Sequence, residues 1–103
     1  MRSALVRVDG EPAGLLEEHP PARFVFRYFE GYDGPPVSLT IPVSAREVAF
    51  DGFPAFFEGL LPEGVMLDGL LRQCKIDHGD YFGQLLAVGE DVVGSVTIVE
   101  ASV

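Results

Sequence analysis

The sequence predicts an α+β fold: a small antiparallel or mixed sheet made from the N-terminal strands plus a C-terminal strand, packed with two to three short helices. Three observations predict it. Apolar residues alternate with period two through residues 3–43, they recur at helical spacing from about residue 53 to 88, and a β-branched run returns at 92–100. Strands, then helices, then one strand is the order that segregates helices to one side of a sheet.

Each element has its own signal. SALVRV (3–8) alternates, and DGEP (9–12) follows with an Asp-Gly pair, the strongest short-range hairpin signal. AGLLEE (13–18) is expected to pair back, and EHPP (18–21) must be a loop because neither proline can donate to a ladder. RFVFRYF (23–29) places Phe24, Phe26 and Tyr28 on one face, opposite Arg23, Val25, Arg27 and Phe29. EGYDGPP (30–36) is turn chemistry, and VSLTIPV (37–43) is expected to form a further strand with Leu39 and Ile41 on a common face. The period then changes. In AFDGFPAFFEGLL (49–61) Pro54 stands near a helix start, where its missing N–H is harmless, and Phe53, Phe56, Phe57, Leu60 and Leu61 follow at helical spacing.

Pro62 stops that helix, because a proline inside a continuous one would cost roughly 3 kcal/mol. Residues 65–76 resume the pattern with Leu67, Leu70, Leu71 and Cys74 at i, i+3, i+4 and i+7, which puts Cys74 on the apolar stripe. Asp80 is the expected N-cap of a third helix over 81–88, with Gly89 as its C′ residue. VVGSVTIVE (92–100) closes the order as a strand.

A chain of 103 residues corresponds to one domain and buries enough surface for a core without staples. The single cysteine, Cys74, excludes an intrachain disulfide framework and fits a reducing compartment. MRSALVRVDGEP is too polar for a signal peptide, and no apolar run approaches the roughly 20 residues that span a bilayer, so a cytoplasmic location is expected. Residues 1–50 hold seven acids and five bases (net −2), whereas 51–103 hold nine acids and two bases (net −7). Nucleic-acid affinity comes largely from Lys and Arg displacing counterions, so direct DNA or RNA binding is not expected. The acidic surface is read either as a match for a basic protein partner or as a device for solubility alone.

Groups for catalysis are sparse. Ser3, Ser38, Thr40, Ser44, Ser95, Thr97 and Ser102 lack a Gly-x-Ser-x-Gly turn. Cys74 and His78 lie four apart, yet a cysteine on an apolar stripe is more commonly inert. His19 and His78 stand alone without zinc-ligand spacing, and neither Asp77–His78–Asp80 nor Glu90–Asp91 has the spacing of a calcium loop. GEDVVGSV (89–96) lacks the lysine of a phosphate-binding loop, and Lys75 is the sole lysine of the chain. The residues therefore point to a binding module rather than an enzyme, with no cofactor and no metal.

Four motifs, in order, carry a family resemblance. F-x-F-x-Y (24–28) followed by P-V-S-L-T-I-P-V (36–43), F-x-x-F-F-E-G-L-L-P-E-G (53–64), D-Y-F-G-Q-L-L (80–86) and G-E-D-V-V-G-S-V-T (89–97) cover nearly the whole chain. Together they resemble the N-terminal subdomain 1 of HipA-type serine/threonine kinase toxins. In those toxins the subdomain precedes the kinase machinery, whereas here nothing follows Val103, so a free-standing form is expected. Such a form is similar to the HipS proteins of HipBST toxin–antitoxin systems, which bind and neutralise a HipT kinase while HipB-type partners supply the DNA binding.

The resemblance implies a non-catalytic antitoxin-like protein that docks on a HipT/HipA-type kinase, either alone or in a complex with a HipB-like DNA-binding protein. Two alternatives accompany it: a structural subunit completing the N-terminal lobe of a split kinase, and an N-terminal fragment of a HipA-like kinase. The contact residues it implies are Glu63, Gly64, Val65, Met66 and Leu67. HipS-like proteins often carry a tryptophan after the L-L-P-E-G motif, directed toward the kinase active site. This sequence has Val65 there, with far less area to anchor an interface. Val65 and Met66 are read either as apolar knobs presented by the Pro62–Gly64 turn or as inward-facing residues of the second helix's first turn.

Overall fold

Asp9 and Gly10 both adopt left-handed backbone, with φ of 51° and 83°. That is the conformation a two-residue hairpin turn of type I′ demands. It folds β1 (Ser3–Val8) back onto β2 (Glu11–His19). The computed structural model, which describes residues 2–92 and 94–101, continues through β3 (Arg23–Tyr28), β4 (Glu47–Asp51) and β5 (Val96–Glu100). The strand order is β4-β3-β2-β1-β5, and every neighbouring pair is antiparallel, so the sheet is antiparallel rather than mixed.

Alternation puts Ala4, Val6, Val8, Leu16, Phe24, Phe26, Tyr28, Val96 and Ile98 on one buried face. The β1–β2 register shifts between Val6 and Arg7, leaving Ala13 as the extra residue, so it and Leu16 both face the core despite their odd spacing. On the opposite face, Arg27 pairs with Glu47 at 2.8 Å and with Glu17 at 3.3 Å.

Three segments cover the buried face. α1 (Ala55–Glu58) contributes Phe57, and α3 (Tyr81–Val88) contributes Phe82 and Leu85. The excursion from β3 to β4 contributes Val37 and Ile41. Phe24 stacks on Phe82 with ring centroids 6.1 Å apart and meets Phe53 edge-on at 5.3 Å. The Tyr28 hydroxyl donates to the Ile41 carbonyl and accepts from the Val37 N–H at 2.9 Å, tying the excursion to the sheet. Burial pushes the Tyr28 phenol above its ordinary pKa.

Four expectations are corrected. Residues 37–43 do not form a strand. The Ile41 N–H bonds back to the Ser38 carbonyl in a tight turn, so Ile41 is buried while Leu39 is 95% exposed. Residues 49–51 belong to β4, and the helix of that region is only α1, followed by turns in which Leu60 and Leu61 bond to Phe57 and Glu58. α2 (Gly64–Cys74) buries none of its residues, and Cys74 is exposed. The apolar stripe is real, but the sheet is already covered without it. The last strand begins at Val96, not 92, and Val93 of that expectation, like Ser102, lies outside the described residues.

Asp80 is the N-cap of α3, accepting from the Gly83 N–H at 3.1 Å. Gly89 ends α3 with an ordinary right-handed φ of −57°. Its need for glycine is spatial, since a Cβ there would lie 2.3 Å from the Ile98 carbonyl oxygen. The start of α3 is held by Arg2. Its guanidinium is bidentate to Glu18 at 2.8 Å, reaches Asp80 at 2.8 and 3.1 Å, and lies 5.1 Å from the centre of the Phe82 ring. These hydrogen bonds from Arg2 hold the Glu18 and Asp80 carboxyls below their ordinary pKa values.

Tyr28→Phe, which leaves the Val37 N–H and Ile41 carbonyl without their partner, is expected to lower stability by about 1–3 kcal/mol in urea denaturation. Glu18 and Asp80 bind protons less tightly folded than unfolded, so their contribution is complete above the ordinary carboxylate range and is lost as pH falls from that range through their lowered folded values. Melting temperature is therefore expected to drop from about pH 5 to about pH 3, and less steeply in Arg2→Ala.

Candidate functional site

The turn between α1 and α2 is built by three residues with different limits. Pro62 has no N–H to continue the turns after α1. Glu63 is extended, with φ −129° and ψ 163°, and Gly64 opens α2 with φ +61°, a value that favours glycine. The next two side chains point away from the core: Val65 is 87% and Met66 76% exposed. Glu63 is exposed and Leu67 half-buried. The structure thus brings Glu63, Gly64, Val65, Met66 and Leu67 together at one surface turn, and Val65 and Met66 face outward rather than into the second helix's base.

Pro62 is the shared wall of two recesses that the sequence alone did not disclose. One is an open groove of about 510 Å³ lined by Leu60, Met66, Leu70, Val88 and Val92, with Asp91 at its edge. The other is a notch of about 170 Å³ that combines Glu58, Glu63, Leu67, His78 and Tyr81. The notch has a firm back wall. Buried Gln84 donates to the carbonyls of Asp77 at 3.2 Å and His78 at 3.0 Å, fixing the connector into α3. Both recesses draw on segments far apart in sequence, which is why period and spacing gave no sign of them.

Among the described residues, no three His, Cys, Asp or Glu side chains converge in the manner of a metal site. No helix of the described chain is long and apolar enough to cross a membrane.

Fold and turn together define a small α+β domain with an exposed apolar turn beside an apolar groove. The family model of the HipA N-terminal domain matches residues 4–99, and the chain belongs to that family. A Haemophilus influenzae protein described as "Uncharacterized protein" is 36% identical over 97% of this chain and 93% of its own length. The Sinorhizobium fredii protein "Putative kinase Y4dM" is 31% identical over 90% of this chain, but the match spans only 25% of that protein. Among solved structures, the N-terminal domain of HipA toxin superposes with a TM-score of 0.76 at 32% identity, covering 99% of this chain and 94% of that one. The fold also matches a chain of the Shewanella oneidensis toxin–antitoxin complex of HipA, HipB and operator DNA (TM-score 0.74, 24% identity), covering 97% of this chain and 24% of that one.

Gly64→Ala forces a Cβ into left-handed backbone and is expected to cost about 1–2 kcal/mol in thermal or chemical denaturation. Val65→Asp, at a site open to water, is expected to leave stability within about 0.5 kcal/mol. A large loss there would place Val65 in the core.

Proposed function

We propose that this chain is a non-catalytic, antitoxin-like accessory protein that binds a HipA- or HipT-type serine/threonine kinase and restrains it. The observation that carries this reading is the pair Val65 and Met66, apolar and exposed on a turn that the chain's own core does not use. An interface of this kind gains from burying such side chains against a partner. Membership of the HipA N-terminal domain family supports the choice of partner. The Haemophilus relative, matched over 93% of its length, supports a role for this domain as nearly the whole of a protein.

A HipB-like protein would complete the assembly and hold the DNA, in keeping with the −9 net charge here, which disfavours a phosphate backbone. The protein is assigned to the cytoplasm on the same reading, which its one cysteine supports.

A second reading rests on Y4dM, where the matched segment is a quarter of a longer protein. There the domain would complete a kinase, and this chain would act as a supporting part of one. Autophosphorylation of the partner kinase separates the two. Restraint predicts a fall when this protein is added, and support predicts a rise. Val65→Asp is expected to weaken binding to the kinase by at least tenfold, since an unpaired charge forced into an apolar contact costs several kcal/mol. Undiminished binding by calorimetry would remove the turn from the interface.

A further inference from the structure

Gly69 stands in the middle of α2, where its backbone is helical. Among the described residues, nothing lies within 4 Å of the place a Cβ would occupy. Glycine there weakens the helix by about 1 kcal/mol relative to alanine, and neither the local conformation nor packing within the chain requires it. The residue lines the apolar groove, on the same helix face as Met66, Leu70 and Gln73. The missing side chain leaves a gap in the ridge of α2, of the kind into which a ridge of a crossing helix fits.

We propose that this groove receives a basic amphipathic helix of a partner protein, crossing α2 at Gly69. Leu60, Pro62, Met66, Leu70, Val88 and Val92 supply an apolar bed for its buried face. α2 has no fully buried residue, and on that face Met66 is exposed and Leu70 only half-buried, so the chain leaves it partly open. Charge selects the sign of the occupant. Asp91 stands at the groove's edge, and Glu58 and Glu63 stand across Pro62 in the neighbouring notch. The second half of the sequence has nine acids against two bases, Arg72 and Lys75, and both bases stand at the C-terminal end of α2. The acids at the Pro62 end thus favour a Lys- or Arg-bearing rim on the visitor there. The same charge argues against a second copy of this chain, which would bring another net −9 to the contact.

The inference rests on the α1–α2 turn being a contact surface, but its test requires no kinase, so the two can fail separately. The full chain, isotope-labelled, is titrated with a synthetic helical peptide of Leu and Lys about 18 residues long, and with its Leu/Glu counterpart. The Leu/Lys peptide is expected to shift the resonances of Met66, Gly69, Leu70 and Val88 saturably, and the Leu/Glu peptide is not. Gly69→Leu fills the gap while improving helix propensity, so it should fold at least as well and bind the Leu/Lys peptide about tenfold more weakly or worse. Asp91→Lys is expected to weaken that binding as well. The proposal is overturned if the peptide does not bind, if shifts map to the open face of the sheet, if both peptides bind alike, or if Gly69→Leu binds as tightly as the natural chain.

Discussion

A sheet with one greasy face must be covered on that face, and most of this molecule follows from how the covering is done. Phe24, Phe26 and Tyr28 project from β3 to the same side, where Phe57, Phe82, Leu85, Val37 and Ile41 meet them. α1, α3 and the excursion before β4 suffice for the task. α2, strung between α1 and α3, is therefore left outside with its leucines half-buried and its Val65 and Met66 in water. Its exposure results from a core already closed without it.

Arg2 converts this layered packing into a fixed frame. One guanidinium joins the ends of β1 and β2 to the first turn of α3 through Glu18 and Asp80, with the Phe82 ring beneath it. Gln84 then holds the connector that carries His78. The wall behind the Glu58–Glu63 notch is thereby fixed by the chain's own hydrogen bonds. α2 has no such staple. Gly64 at its start and Lys75 in left-handed backbone at its end mark where the chain turns into and out of the helix.

Much of this was legible in the residues. Asp9-Gly10, the Phe24-Phe26-Tyr28 alternation, the Asp80 cap and the proline–glycine break at 62–64 act through neighbours in sequence, and each is found where its chemistry put it. Longer-range competition decided the rest. Ser38 and Thr40 bond to each other and to local backbone, which curls 37–41 into a turn despite its β-branched residues. Val48 and Phe50 alternate as a strand should, but Phe50 also completes the helical spacing that follows. Cys74 sits on a true apolar stripe, and periodicity says which face of a helix is apolar without saying whether anything lies against it. The two recesses on either side of Pro62 were invisible for a related reason, since each exists only after three separate segments have converged.

The strand order has a consequence for how the molecule is made. β1 lies between β2 and β5, so one of its edges is satisfied within a few residues of its own synthesis, and the other waits for Val96–Glu100. On the ribosome, β1 to β3 can meander together early, while the far edge of Ala4-Leu5-Val6 stays open until Val96–Glu100 has emerged. An unpaired apolar edge is a template for pairing with other chains. The time taken to synthesise the residues between Val8 and Val96 thus sets how long that template is exposed.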